Sequence, residues 1–152
     1  MRNVVTISLV IFLVPLAGCV DESTESTEST EPTKSLLGDT EMIIDDGQFY
    51  KIGPTDGYGQ FEWELTYIPT EGESSNSSWN VYLLDEPNFQ QFEGGNSFLF
   101  YVNGSWESMD GNGTKGPTNL NPSESYYLVV DNWRNNENGE SLRFRIQFFG
   151  WK

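Results

Sequence analysis

The chain of 152 residues carries one cysteine and no histidine, and those two counts bound its chemistry. Without imidazole, the commonest general base and the commonest zinc or copper ligand are absent. Ser-His-Asp and Cys-His nucleophile arrangements are excluded on the same ground. An enzyme would have to work with carboxylates alone, as glycosidases do with a matched pair. Asp and Glu together number 23, yet nothing marks a pair: Asp45-Asp46 and Asp85-Glu86 both read as turns. No catalytic residue is expected, and Cys19 is left as the single reactive thiol.

Cys19 closes a distinctive segment. Arg2 supplies a positive charge, and Val4 to Ala17 is apolar apart from Thr6 and Ser8. That run of about 14 residues falls short of the roughly 20 a bilayer-spanning helix needs. It suits a secretory signal with small residues at its cleavage point. A buried helix fits poorly, because Asp21 and Glu22 follow at once. The run Leu16-Ala17-Gly18-Cys19 resembles the lipobox of prokaryotic lipoproteins, bacterial or archaeal. The resemblance implies cleavage before Cys19, a lipid on its sulfur, and residence at the cell membrane on the extracytoplasmic face. Anchors of two or more chains hold firmly.

Net charge is -15. Phosphate recognition needs lysine and arginine surfaces, so nucleic acid is excluded as a partner. Electrostatic docking on anionic lipid is disfavoured for the same reason. Glu22 to Pro32 repeats Glu-Ser-Thr three times and holds no apolar residue, which predicts a disordered, charge-extended tether. The expected organisation is a signal peptide over 1–18, a lipidated cysteine and disordered linker over 19–37, and a folded domain over 38–152.

The domain must be positioned by strands. Phe61, Trp63, Leu65 and Tyr67 alternate with polar residues, as do Leu142, Phe144, Ile146 and Phe148. A period of two buries one face and wets the other. Trp79–Leu84, Ser97–Val102 and Tyr126–Val130 are fuller apolar runs suited to central strands. Glu41–Ile44 and Gln48–Ile52 predict an opening hairpin around Asp46-Gly47. Pro87 to Glu93 offers one helical turn at most, and Glu71–Ser78 and Asn103–Ser125 read as long loops. About seven or eight strands at this spacing predict an all-β antiparallel sandwich. If the strands carrying Glu62/Glu64 and Arg143/Arg145 are neighbours in one sheet, their outward charges attract across it.

The stretch Asn121 to Asn132, with Tyr126-x-Leu128-x-x-Asp131-Asn132, precedes a polar loop and the Leu142–Phe149 strand. This arrangement resembles the closing part of GOLD-like (Golgi-dynamics) β-sandwich domains. Trp79 to Asp85, then Asn88 and Phe89, is similar to the middle strand of small secreted members, including archaeal lipoproteins. The likeness spans Gln48 to Phe149 and also fits bacterial pre-peptidase C-terminal domains, which implies a jelly-roll-like sandwich. It implies a non-catalytic interaction module with no universal binding residues. The cysteine pair and coiled-coil tail of eukaryotic members are absent here, so their cargo role is not implied.

Further candidates lie in loops. Asn76, Asn103 and Asn112 each head an Asn-x-Ser/Thr sequon, a site for N-linked glycan on an exported chain. Asp110, Asn112 and Thr114 place oxygens at alternate positions, as calcium loops do, though the distal Glu124 is out of register. Asp131, Asn132, Asn135, Glu137 and Glu140 form a second oxygen-rich group, and Asp45 with Asp46 a third. Asx turns and solvated carboxylates are the favoured explanation, so no resident cofactor is expected and calcium is the weak alternative. Trp63 and Trp79 belong on apolar strand faces. Trp106 and Trp133 sit beside polar loops, where they either cap the sandwich or contact a ligand, and Trp151 lies near the chain end. The expected function is a membrane-anchored, non-catalytic sandwich for protein or envelope contacts. Carbohydrate binding through Trp106 or Trp133, or service as an accessory subunit of a surface complex, are the alternatives.

Overall fold

In a computed structural model, described for residues 31–69, 78–132 and 139–152, the domain is an antiparallel β-sandwich of two four-stranded sheets. Its strands are β1 (Lys34–Ile44), β2 (Phe49–Thr55), β3 (Gln60–Tyr67), β4 (Trp79–Asp85), β5 (Trp106–Met109), β6 (Gly113–Asn119), β7 (Tyr126–Asp131) and β8 (Leu142–Trp151); helix α1 spans Glu86–Glu93. One sheet runs β1-β8-β3-β6 and the other β2-β7-β4-β5. The strands pair first with eighth, second with seventh, third with sixth and fourth with fifth. That nested pairing is the strand order of a jelly roll.

The alternating strands behave as their period requires. Phe61, Trp63 and Leu65 of β3 and Leu142, Phe144, Ile146 and Phe148 of β8 face inward onto Trp79, Val81, Leu83, Leu128 and Val130 of the other sheet. Each such side chain contributes about 1.5–3 kcal/mol by leaving water. The Trp63 indole N–H is satisfied in the core, donating to the Gly104 carbonyl at 2.7 Å. Strands β4 and β7 are apolar on both faces because the outer face of their sheet is covered too, by Phe89, Phe92, Phe98 and Phe100.

Several local expectations are corrected. The first strand begins at Lys34, inside the stretch read as linker. The Asp46-Gly47 turn does not close a hairpin: β1 pairs with β8 and β2 with β7. The Gly47 amide bonds to the Asn132 carbonyl at 3.0 Å and the Asn132 amide to the Gln48 carbonyl at 3.0 Å, so the turn hands the chain to the facing sheet. Ser97–Val102 is not a strand. Leu99 is 78% and Val102 72% exposed, while Phe98 and Phe100 pack outside the sheet on Tyr82.

Asn103–Ser125, read as one loop, contains β5 and β6. Both are edge strands, and only Met109 and Thr118 in them are buried, so the apolar signal is weak. Pro54 of β2 and Pro117 of β6 likewise lie on edges, where a missing N–H is tolerated. Helix α1 runs two turns rather than one. Asp85 caps it, accepting the Asn88 amide at 2.9 Å, Pro87 stands in its first turn, and Gly94 ends it.

Strands β3 and β8 are neighbours, as the Glu62/Glu64 and Arg143/Arg145 pattern predicts. The arginines nevertheless turn to the strand on the other side. Arg143 meets Glu41 at 2.5 Å and Arg145 meets Asp39 at 2.7 Å, both on β1. Glu62 takes Lys34 at 3.0 Å instead. The Arg145 guanidinium, with the Gln147 amide, holds the Asp39 carboxyl below its usual range.

Candidate ligand-binding site

Strand register builds the outer face of the β2-β7-β4-β5 sheet in rows. Phe49, Asp131 and Asn80 are direct partners across β2, β7 and β4. Lys51, Val129 and Tyr82 form the next row, and Tyr127 with Leu84 the one after. These residues face outward because their chain neighbours Tyr126, Leu128 and Val130 face the core.

Helix α1 covers the third row. The Phe89 ring stacks on Tyr127 at 4.2 Å and 15°, and the Tyr127 hydroxyl donates to Glu86 of the same helix. That bond, more than burial, pushes the Tyr127 phenol up to about 12 and holds Glu86 below its usual range. The segment after α1 is tied back to it by the Leu99 amide, which donates to Asn88 Oδ1 at 2.8 Å. Phe98 and Phe100 thereby land on Tyr82, with ring centroids 5.2 and 5.3 Å away.

The first row stays open and floors a cleft of about 690 Å³, within the range of small-molecule sites. Phe49, Tyr82, Phe92 and Phe98 wall it, and Asp131, Asn80, Glu93 and Asn96 line it. Phe92 meets Phe49 at 5.0 Å and 81° and Phe98 at 5.3 Å and 87°; Phe98 meets Tyr82 at 5.2 Å and 79°. The walls therefore join at near right angles. Asp131 is only 6% exposed. Burial, then the charges of Glu107 and Asp131, push the Tyr82 phenol up to about 12, so it stays a neutral hydroxyl. The cleft can hold an apolar or flat group beside polar side chains.

The residues singled out from sequence are not gathered into one site. Cys19, Asn76 and Trp133 lie outside the described residues. Asp131 enters the cleft, whereas Asp110 and Asn112 lie in the turn between β5 and β6. Asn112 Oδ1 accepts the Tyr67 amide at 2.8 Å, and buried Asn132 donates to the carbonyls of Ile44 and Glu140 at 3.3 and 3.1 Å. Among the described residues no three acidic or thiol side chains group as a metal ion requires. Asn103 and Asn112 are both exposed, and the Asn112 bond uses its oxygen, leaving the nitrogen that a glycan would modify.

Trp106 is 38% exposed but is not a free platform. Its ring lies over Gly113 of the other sheet, where a Cβ would come within 2.9 Å of it, and Lys115 Nζ sits 5.3 Å from the ring centroid. It closes the open edge between β5 and β6. Sequence reading missed Phe49, Tyr82, Phe92 and Phe98 as a group. The available signal was that β4 and β7 are apolar on both faces, which demands a covered outer surface.

No protein-family model matches the chain, and no curated protein matches it. Among solved structures it is similar to the acidic stable capsid structure of Helicobacter pylori bacteriophage KHP30, with 11% sequence identity, over 78% of this chain and 93% of that chain, at a TM-score of 0.40.

Proposed function

We propose that the chain is a membrane-anchored, extracytoplasmic lipoprotein whose jelly-roll domain is a non-catalytic binding module. The observation that carries the binding role is the cleft floored by Phe49, Asp131 and Asn80 and walled by aromatic rings. The Leu16-Ala17-Gly18-Cys19 run supports the anchor, and the lack of histidine supports binding over catalysis. Two measurements test the reading. The full chain should partition into the detergent phase and its Cys19→Ser variant into the aqueous phase. Native mass spectrometry of the full chain, purified gently from its own membranes, should show a bound species that is lost in Phe98→Ala. Equal partitioning of both chains counts against the anchor; an empty wild-type cleft counts against the binding role.

A second reading, a carbohydrate ligand, is supported by the side chains of Asn80 and Asn96 beside the cleft's aromatic rings. Aromatic faces stack on sugars while side-chain amides take the hydroxyls. A glycan array on the full chain, repeated with Trp106→Ala and Phe98→Ala, separates the edge tryptophan from the cleft as the sugar contact.

A further inference from the structure

We infer that Asn112 carries an N-linked glycan added to the folded domain, and that the sequon at Asn103 is withheld from the same reaction by its own packing. The inference rests on the extracytoplasmic placement proposed above, where an exported chain meets glycosyl donors and transferases.

Two sequons lie within the described residues, and their letters are nearly alike: Asn103-Gly104-Ser105 and Asn112-Gly113-Thr114. A transferase reads the amide nitrogen and the hydroxyl two residues on together, so both ends of the motif have to be open. At Asn103 only the amide end is open. Ser105 is 4% exposed, and its Oγ accepts the Leu83 amide at 2.9 Å in the core. The Gly104 carbonyl accepts the Trp63 indole N–H at 2.7 Å, and the Gly104 amide bonds back to the Tyr101 carbonyl at 2.9 Å. A Cβ on Gly104 would collide with the Leu83 side chain. Presenting this sequon means pulling Ser105 from the core and leaving the buried Leu83 and Trp63 donors unpaired.

At Asn112 both ends are open. Asp110, Asn112 and Thr114 are all exposed, at the turn from β5 into β6. Nothing stands within 4 Å of a Cβ built on Gly111, so the approach is clear. Asn112 Oδ1 accepts the Tyr67 amide at 2.8 Å; that bond engages the oxygen and leaves the nitrogen, the atom a glycan joins. Asp110 stands two residues before Asn112, the place of the acidic residue in the extended bacterial form of the motif, where Asn103 has Tyr101. A glycan here stands over the edge strands of both sheets, β5 and β6, whose outer backbone groups otherwise invite pairing with another chain.

The reaction asks little of this chain. The Asn112 side-chain nitrogen attacks the anomeric carbon of a lipid-phosphate-linked sugar. The C–N bond forms as the bond from that carbon to the phosphate oxygen breaks. The phosphate leaves with the electron pair, and the surplus proton on nitrogen passes to a base of the transferase. Oδ1 is not consumed, so its bond to Tyr67 re-forms beneath the glycan.

Glycopeptide mass mapping of the full chain, taken from its own membranes, tests the inference. Asn112 should be occupied and Asn103 at least about tenfold less so, since Ser105 is reached only by local opening. Thr114→Ala, which leaves the Asn112–Tyr67 bond in place, should abolish the glycan at Asn112 with thermal unfolding unchanged. Thr114→Ser should restore it. A bare Asn112, equal occupancy at Asn103, or a glycan retained in Thr114→Ala each overturns the inference. Detergent-phase partitioning with a bare Asn112 removes the glycan and leaves the anchor; aqueous partitioning with a bare Asn112 removes both.

Discussion

Phe89 of α1 lies flat on Tyr127 of β7, with ring centroids 4.2 Å apart and planes 15° from parallel. Tyr127 also bonds Glu86, one helical turn away, so a single strand residue holds the helix at two points. An eight-residue helix is marginal alone and depends on such packing. Phe89→Ala should lower stability by about 3–5 kcal/mol, the usual range for a buried ring. Chemical denaturation measures this, and native-state hydrogen exchange should show Gln90 to Phe92 losing protection ahead of β3 and β8.

Alkaline pH should weaken the fold. The phenols of Tyr82 and Tyr127 are pushed up to about 12, and Tyr126 is raised by burial. A group that holds its proton more tightly when folded adds stability fully present below its unfolded pKa, near 10 for tyrosine. That stability is lost as pH rises from about 10 through about 12. Absorbance titration should show a late tyrosinate class coinciding with unfolding, and Tyr127→Phe should shrink it. Glu86 has the opposite sign: held low mainly by the Tyr127 hydroxyl, it adds stability above the ordinary carboxylate range that fades as pH falls through its folded pKa.

Asn132 is fully buried and ties the end of β7 to the β1–β2 turn and to Glu140. Asn132→Ala should cost about 1–3 kcal/mol, because the carbonyls of Ile44 and Glu140 lose a donor. Equilibrium unfolding in urea reads the difference.

Thr118 is buried in edge strand β6, and its hydroxyl has no hydrogen-bond partner among the described residues. Thr118→Val keeps the shape and removes the unpaired oxygen. It should raise stability by about 1 kcal/mol, seen as a higher urea midpoint at unchanged slope.

Arg145 and Asp39 join β8 to β1 across an exposed surface. Arg145→Ala should change stability by less than about 1 kcal/mol, with the difference shrinking in molar salt. A larger, salt-insensitive loss would mean that the arginine stem, not its charge, secures the edge.

Period-two alternation alone placed β3 and β8, because a side chain that must choose between core and water leaves that choice written along the strand. The double-sided apolar runs of β4 and β7 likewise marked them as central. The helix Glu86–Glu93 was under-read, since its second turn comes from Phe89 meeting Tyr127, 38 residues onward in a strand that local pattern cannot pair with it. Strands β5 and β6 were invisible because each is an edge with a single buried residue, Met109 and Thr118, and β6 is built of Gly, Thr, Lys, Pro and Asn, which carry little burial signal. The Asp46-Gly47 pair announced a turn but not its destination, which the bonds to Asn132 decide. Sequence by itself determined the all-β class, the alternating core, the -15 charge and the exclusion of histidine chemistry. Only the tertiary structure brought Phe49, Asp131 and Asn80 into one row under Phe92 and Phe98. That meeting depends on β2 pairing β7 rather than β1, a choice made by sheet register and not by any local run of residues.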